Sequence, residues 1–165
     1  MAQIKKTQPL LPSVLDRLLD DNPSAQQEAA ASRAQVMREL HACIRRDLQN
    51  LLNTRRRCLT LGPEPGELEQ SLVNYGIPDF SGGNFASAAS REEFRRTMEN
   101  VIRRFEPRFK TVRVQLLENT DTHDQTLRFR IDALVYADPA PEPVAFDSLL
   151  EPVTYSFEVK GAQHD

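Results

Sequence analysis

The 165-residue sequence predicts an α+β domain, with N-terminal helices packed on a C-terminal antiparallel β-sheet of about three to four strands. Three observations predict it. Up to Pro107 the apolar residues recur with the 3.6-residue period of a helix. Beyond it they alternate with period two. Each alternating run has one apolar face, the pattern of an antiparallel meander covered on one side.

Residues 1–12 are polar, carry Pro9 and Pro12, and read as a flexible arm. Residues 13–33 hold a short amphipathic helix and a linker. Ser13 is placed to cap, Val14, Leu15, Leu18 and Leu19 share a face, and Asp21-Asn22-Pro23 ends the helix. Two turns are marginal unless docked on something. Residues 34–160 read as a single domain and 161–165 as a tail. From Gln35 to Asn53 the spacing of Val36, Leu40, Ile44, Leu48, Leu51 and Leu52 predicts a long helix, followed by Arg55-Arg56-Arg57, where cations suit its C-terminal carbonyls.

Leu61 to Gly66 is turn-forming. Glu67–Asn74 predicts a short helix with Leu68, Leu72 and Tyr75 aligned and Gly76 as its stop. Ser90-Arg91-Glu92-Glu93 has the form of a capping box, and Phe94, Met98, Val101, Ile102 and Phe105 give the stripe of the helix behind it. Pro107, with no amide proton, stops that helix. Three strands follow, around Val112–Leu116, Leu127–Val135 and Val153–Val159. Asn119–Gln125 connects the first hairpin, and Asp138–Pro152 is a proline-rich excursion with a short extended piece at Val144-Ala145-Phe146.

Composition narrows the function. Hydrophobic residues make up 39% and charged residues 27%, and the net charge of -3 is spread over interleaved signs, which argues against a nucleic-acid binder. No apolar run approaches the roughly 20 residues of a membrane span. Lys5 and Lys6 lead into Thr7-Gln8-Pro9 rather than an apolar stretch, so no signal peptide is expected. Cys43 and Cys58, without CxxC spacing, suit reduced thiols in the cytoplasm.

Catalysis finds little to work with. His41, His123 and His164 are dispersed, no metal or cofactor site can be nominated, and Ser81-Gly82-Gly83-Asn84 lacks the lysine of a phosphate loop. Glu106 is the only arguable general acid, and Arg108 beside it would lower its pKa; a glycosidase needs two carboxylates. The arginine pairs along the helices read as solvated faces or as docking points for acidic protein. Phe105-Glu106-Pro107-Arg108 is more pointed: a proline after a helical glutamate makes a rigid corner, from which Glu106 and Arg108 are expected to project and set a partner's register.

Several of these segments resemble the TssE family of type VI secretion baseplate proteins. Leu15-Asp16-Arg17-Leu18 is similar to its LDRL element, Leu51-Leu52-Asn53-Thr54-Arg55 to its LLNTR helix end, and Tyr75-Gly76-Ile77-Pro78-Asp79 to its YGLPD turn, with Ile77 for leucine. Glu106-Pro107-Arg108 resembles the EPR motif shared with lysozyme-like phage baseplate wedge proteins; Leu127–Ala133 and Val144–Asp147 fall at its sheet segments. The resemblance runs from about Pro12 to Lys160. It implies a non-enzymatic baseplate component, cytoplasmic and assembled at the inner face of the membrane. Glu106, Pro107 and Arg108 would contact TssF and TssG, with Leu15, Asp16, Arg17 and Leu18 as a further partner-binding element and TssK and other subunits nearby. A sheet edge would accept strands from the TssB/TssC sheath. The alternatives are a peptidoglycan-cleaving muramidase and a generic α+β interaction domain.

Overall fold

A computed structural model describes residues 18, 32–57, 71–80, 87–118, 126–137, 140–151 and 154–161. Two helices, α1 (Arg33–Asn53) and α2 (Ala88–Phe105), precede four strands, β1 (Phe109–Leu117), β2 (Leu127–Val135), β3 (Glu142–Glu151) and β4 (Ser156–Gly161). The strands form one antiparallel sheet in the order β1-β2-β3-β4, so β1 and β4 are its borders. The α+β expectation holds.

Helix α1 starts where the Ser32 side chain accepts the Gln35 amide, and it buries Leu40, Ile44, Leu48, Leu51 and Leu52. It lies along β4, while α2 lies along β1. Between helices and sheet, Phe80, Phe94, Phe129 and Phe157 meet edge to face in a chain, with centroids 5.1, 5.9 and 6.1 Å apart. Burying the α2 stripe of Phe94, Met98 and Ile102 against this layer leaves the other sheet face to charged side chains such as Arg130 and Asp147.

The structure corrects five local expectations. Helix α2 begins one turn early: Ser87 is the cap, accepting the Ser90 amide at 3.0 Å, and Ser90 occupies the third helical position. Ala88 and Ala89 are strong helix formers, which extends the helix back to Ser87. The described part of the expected 67–74 helix is a single 3-10 turn, Leu72–Asn74. Its Leu72 is 83% exposed and shares no buried face with Tyr75. The proline-rich excursion contains a ten-residue strand, β3, in which Val144, Phe146, Ser148 and Leu150 point inward. Ser148 breaks the apolar alternation; its buried hydroxyl has no hydrogen-bond partner among the described residues. The last strand starts at Ser156, because Tyr155 takes a left-handed turn conformation with φ of 51°. Arg55 does not meet the α1 carbonyls; its guanidinium donates to the Tyr155 carbonyl at 2.9 Å and lies 5.8 Å from that residue's ring centre.

The arm, the first helix apart from Leu18, the 119–125 connector, Cys58, His123, His164, Val153 and residues 162–165 lie outside the described residues. Among those described, no helix is long and apolar enough to cross a membrane.

Candidate functional site

The corner after α2 is built from its backbone outward. Pro107 ends the helix, so Glu106 becomes its C-cap, its amide donating to the Ile102 carbonyl at 2.8 Å. The bend turns Glu106 inward, where the residue is only 4% exposed. Arg108 folds back over it: Nε donates to Oε1 at 2.6 Å and Nη2 to Oε2 at 2.5 Å. Nη2 also donates to Asp47 Oδ2 of α1 at 2.6 Å, and Arg46 pairs with the other Asp47 oxygen at 3.2 Å. The expectation that Glu106 and Arg108 project into solvent is therefore wrong for Glu106: a carboxylate two residues from an arginine gains more from a bidentate pair than from standing free. Arg108 keeps a side-chain exposure of 21%, and Pro107 is exposed.

Burial disfavours the Arg108 charge, but hydrogen bonds and attraction from Glu106, then Asp47, outweigh it and hold the guanidinium above its ordinary range. The Tyr75 hydroxyl nearby is raised too, first by burial and then by the charges of Asp47 and Glu106. An ion-paired, buried Glu106 is poorly suited to act as a general acid. Asp47 is the site residue that the sequence does not announce. Its partner lies 61 positions away, and no local signal announces it.

Two other motifs meet beside this corner. The Ile77 amide donates to the Thr54 carbonyl at 2.9 Å, and the Arg56 amide to the Ile77 carbonyl at 2.8 Å, so the LLNTR helix end and the YGIPD turn form a parallel bridge. Gly76 has φ of 106°, and a Cβ there would sit 2.4 Å from the Thr54 carbonyl oxygen, so the approach requires glycine. Tyr75 then packs edge-on against Phe105, 5.3 Å between centroids.

The sheet borders are the remaining candidate surfaces. Along β4 the outward backbone groups belong to Phe157 and Val159. Asn53 accepts the Phe157 amide at 2.9 Å and donates to its carbonyl at 2.9 Å; Gln49 donates to the same carbonyl at 2.7 Å and accepts the Val159 amide at 2.8 Å. The match is geometric. Four helical residues rise about 6 Å and two strand residues about 6.7 Å, so amides four apart on a helix address strand positions two apart. Along β1 the corresponding groups belong to Val112, Val114 and Leu116, since Val114 donates outward to Glu99 Oε1 of α2 at 2.9 Å and orientation alternates. Glu99 is otherwise held by Arg95 Nη1 at 2.5 Å, and the α2 residues four away on either side are Arg95 and Arg103, turned to Glu92 and Asn100. Of the expected LDRL contact, Leu15, Asp16 and Arg17 lie outside the described residues; Leu18 is helical and 75% exposed. Among the described residues no cluster of three potential metal ligands forms.

The chain is similar to the anti-adapter protein IraD of Salmonella arizonae, 30% identical over 101 residues, which covers 61% of this chain and 73% of that protein. A chain in the solved structure titled "The baseplate complex from the type VI secretion system" superposes with a TM-score of 0.48 at 17% identity, over 69% of this chain and 96% of its own length. The family model described as baseplate wedge protein gp25 matches residues 38–140, a range that takes in Asp47, the LLNTR helix end, the EPR corner and all of β2. The chain belongs to the gp25 baseplate wedge protein family.

Proposed function

We propose that the chain is a structural, non-enzymatic baseplate component of a type VI secretion apparatus, of the TssE kind. It joins TssF and TssG in the wedge, with TssK and other subunits adjacent, and templates TssB/TssC sheath polymerisation by strand addition at a sheet edge. It acts in the cytoplasm, at the inner face of the cytoplasmic membrane. Membership in the baseplate wedge family carries this reading. The corner supports it: Pro107 and the accessible side of Arg108 present a rigid contact whose geometry is set from beneath by Glu106 and Asp47. Leu15, Asp16, Arg17 and the exposed Leu18 form the second contact.

Co-expression with TssF and TssG followed by size-exclusion chromatography tests it, with co-elution expected. A chain that elutes alone while TssF and TssG form their own complex would overturn the assignment. Arg108→Lys keeps a cation beside buried Glu106 and removes a planar donor arm. Retained co-elution of that variant would take the corner out of the interface.

The likeness to an anti-adapter protein favours a second reading, in which the same fold acts against an adapter protein outside any baseplate. Under it, no complex with TssF and TssG forms.

A further inference from the structure

The two borders of the sheet are guarded differently, and we propose that this difference selects the edge: β1 accepts the incoming strand, and Glu99 is the removable plug that occupies its place beforehand. The inference rests on the strand-addition reading above and assigns its site. On β4, Gln49 and Asn53 both donate and accept, satisfying the amide and carbonyl of Phe157 and the amide of Val159 as a neighbouring strand would. On β1, a carboxylate can only accept, so Glu99 covers the Val114 amide and offers nothing to a carbonyl. Glu99 is also easily released. When it leaves Val114, Arg95 still neutralises it, and Arg95 is itself anchored by Glu92 at 2.8 Å through two nitrogens.

The chemistry of the occupant follows from the side chains along this edge. On the covered side Val112 and Val114 are buried and Leu116 is half-buried. On the open side stand Arg113 and, at the bulge between Phe109 and Thr111, Lys110; both are exposed and neither has an ion-pair partner among the described residues. Arg113 faces Asp132 across the sheet without an ion pair between them. An extended segment that alternates apolar with acidic residues answers both rows at once. The bulge at Lys110 interrupts the ladder, so pairing runs from Thr111 to Leu117.

The test uses the full chain and a nine-residue synthetic peptide alternating valine and glutamate, followed by amide NMR. Addition of the peptide is expected to shift the amides of Val112, Val114 and Leu116 and to leave those of Phe157 and Val159 unmoved. Methylating the peptide's backbone nitrogens, or replacing its glutamates with lysine, is expected to abolish binding. Glu99→Ala removes a competing hydrogen bond and is expected to bind about 2–10-fold tighter, the range one such bond supports. Glu99→Gln keeps an acceptor for Val114 and adds a donor, as Gln49 does on β4, and is expected to bind no tighter than wild type, which separates unplugging from loss of structure. Shifts confined to Phe157 and Val159, absence of binding by the alternating peptide, equal binding of the lysine peptide, or Glu99→Ala binding no tighter than wild type would each overturn the assignment. If the peptide fails while the chain still co-elutes with TssF and TssG, the edge assignment falls and the baseplate reading stands; the reverse result separates them the other way.

Discussion

Both outer strands receive polar side chains reaching across from a helix, β4 from α1 and β1 from α2. On β4 two neutral amides four residues apart, Gln49 and Asn53, reproduce the donors and acceptors of a strand. On β1 one carboxylate takes one amide. Exposed strand edges invite association, and proteins manage them individually. Here one border is closed by matched hydrogen bonding and the other is only occupied. Helix-to-edge capping is thus graded by the chemistry of the capping residue: an amide can replace a peptide group, and a carboxylate replaces half of one.

Several measurements break or sharpen this contrast. The largest effect is expected where β1 begins. Arg108→Ala leaves Glu106 buried without its cation, and chemical denaturation should register a loss of about 3–5 kcal/mol. Adding Glu106→Gln removes the uncompensated charge and should restore part of that loss; a double variant no more stable than the single one would mean that Arg108 acts through packing instead. Next comes the comparison of the caps. Asn53→Ala strips partners from both the amide and carbonyl of Phe157 and should cost about 1–3 kcal/mol, with faster hydrogen exchange at Phe157. Glu99→Ala should cost less, about 0.5–1.5 kcal/mol, with faster exchange confined to Val114. Equal costs would remove the asymmetry.

The smallest effect is electrostatic. Hydrogen bonds from Arg95 and then Arg96 pull the Glu92 pKa down to about 2. Its folded pKa lies below its unfolded value, so its stabilising contribution is complete above the ordinary carboxylate range and is lost as pH falls through about 2. An NMR titration following the Glu92 carboxyl should find its midpoint there. A midpoint near 4 would show that Arg95 is not anchored by Glu92 and is a weaker hold on Glu99.

Much of this architecture was legible. The stripes Leu40–Leu52 and Phe94–Ile102, and the alternations of β1 and β2, each report burial of one face, and periodicity alone records that. Strand β3 was under-read because Pro141 and Pro143 at its start look like breakers. Proline is tolerated at the beginning of a strand, and β4 stops at Gly161, opposite Phe146, before it would need an amide from Pro143. The corner was legible as a corner but misread in direction, since nothing in Glu106-Pro107-Arg108 shows that Asp47 waits on the other helix.

What the sequence determined by itself was local: where apolar residues share a face, where proline and glycine forbid continuation, and therefore that helices precede an antiparallel sheet. What only the tertiary structure decided was which distant polar groups meet. Asp47 with Arg108, Gln49 and Asn53 with β4, and Glu99 with β1 are pairings whose partners lie 15 to 110 residues apart. A side chain's hydrogen-bonding capacity is written in its identity, but its partner is chosen by packing, because only the folded core fixes which backbone group lies within about 3 Å of it.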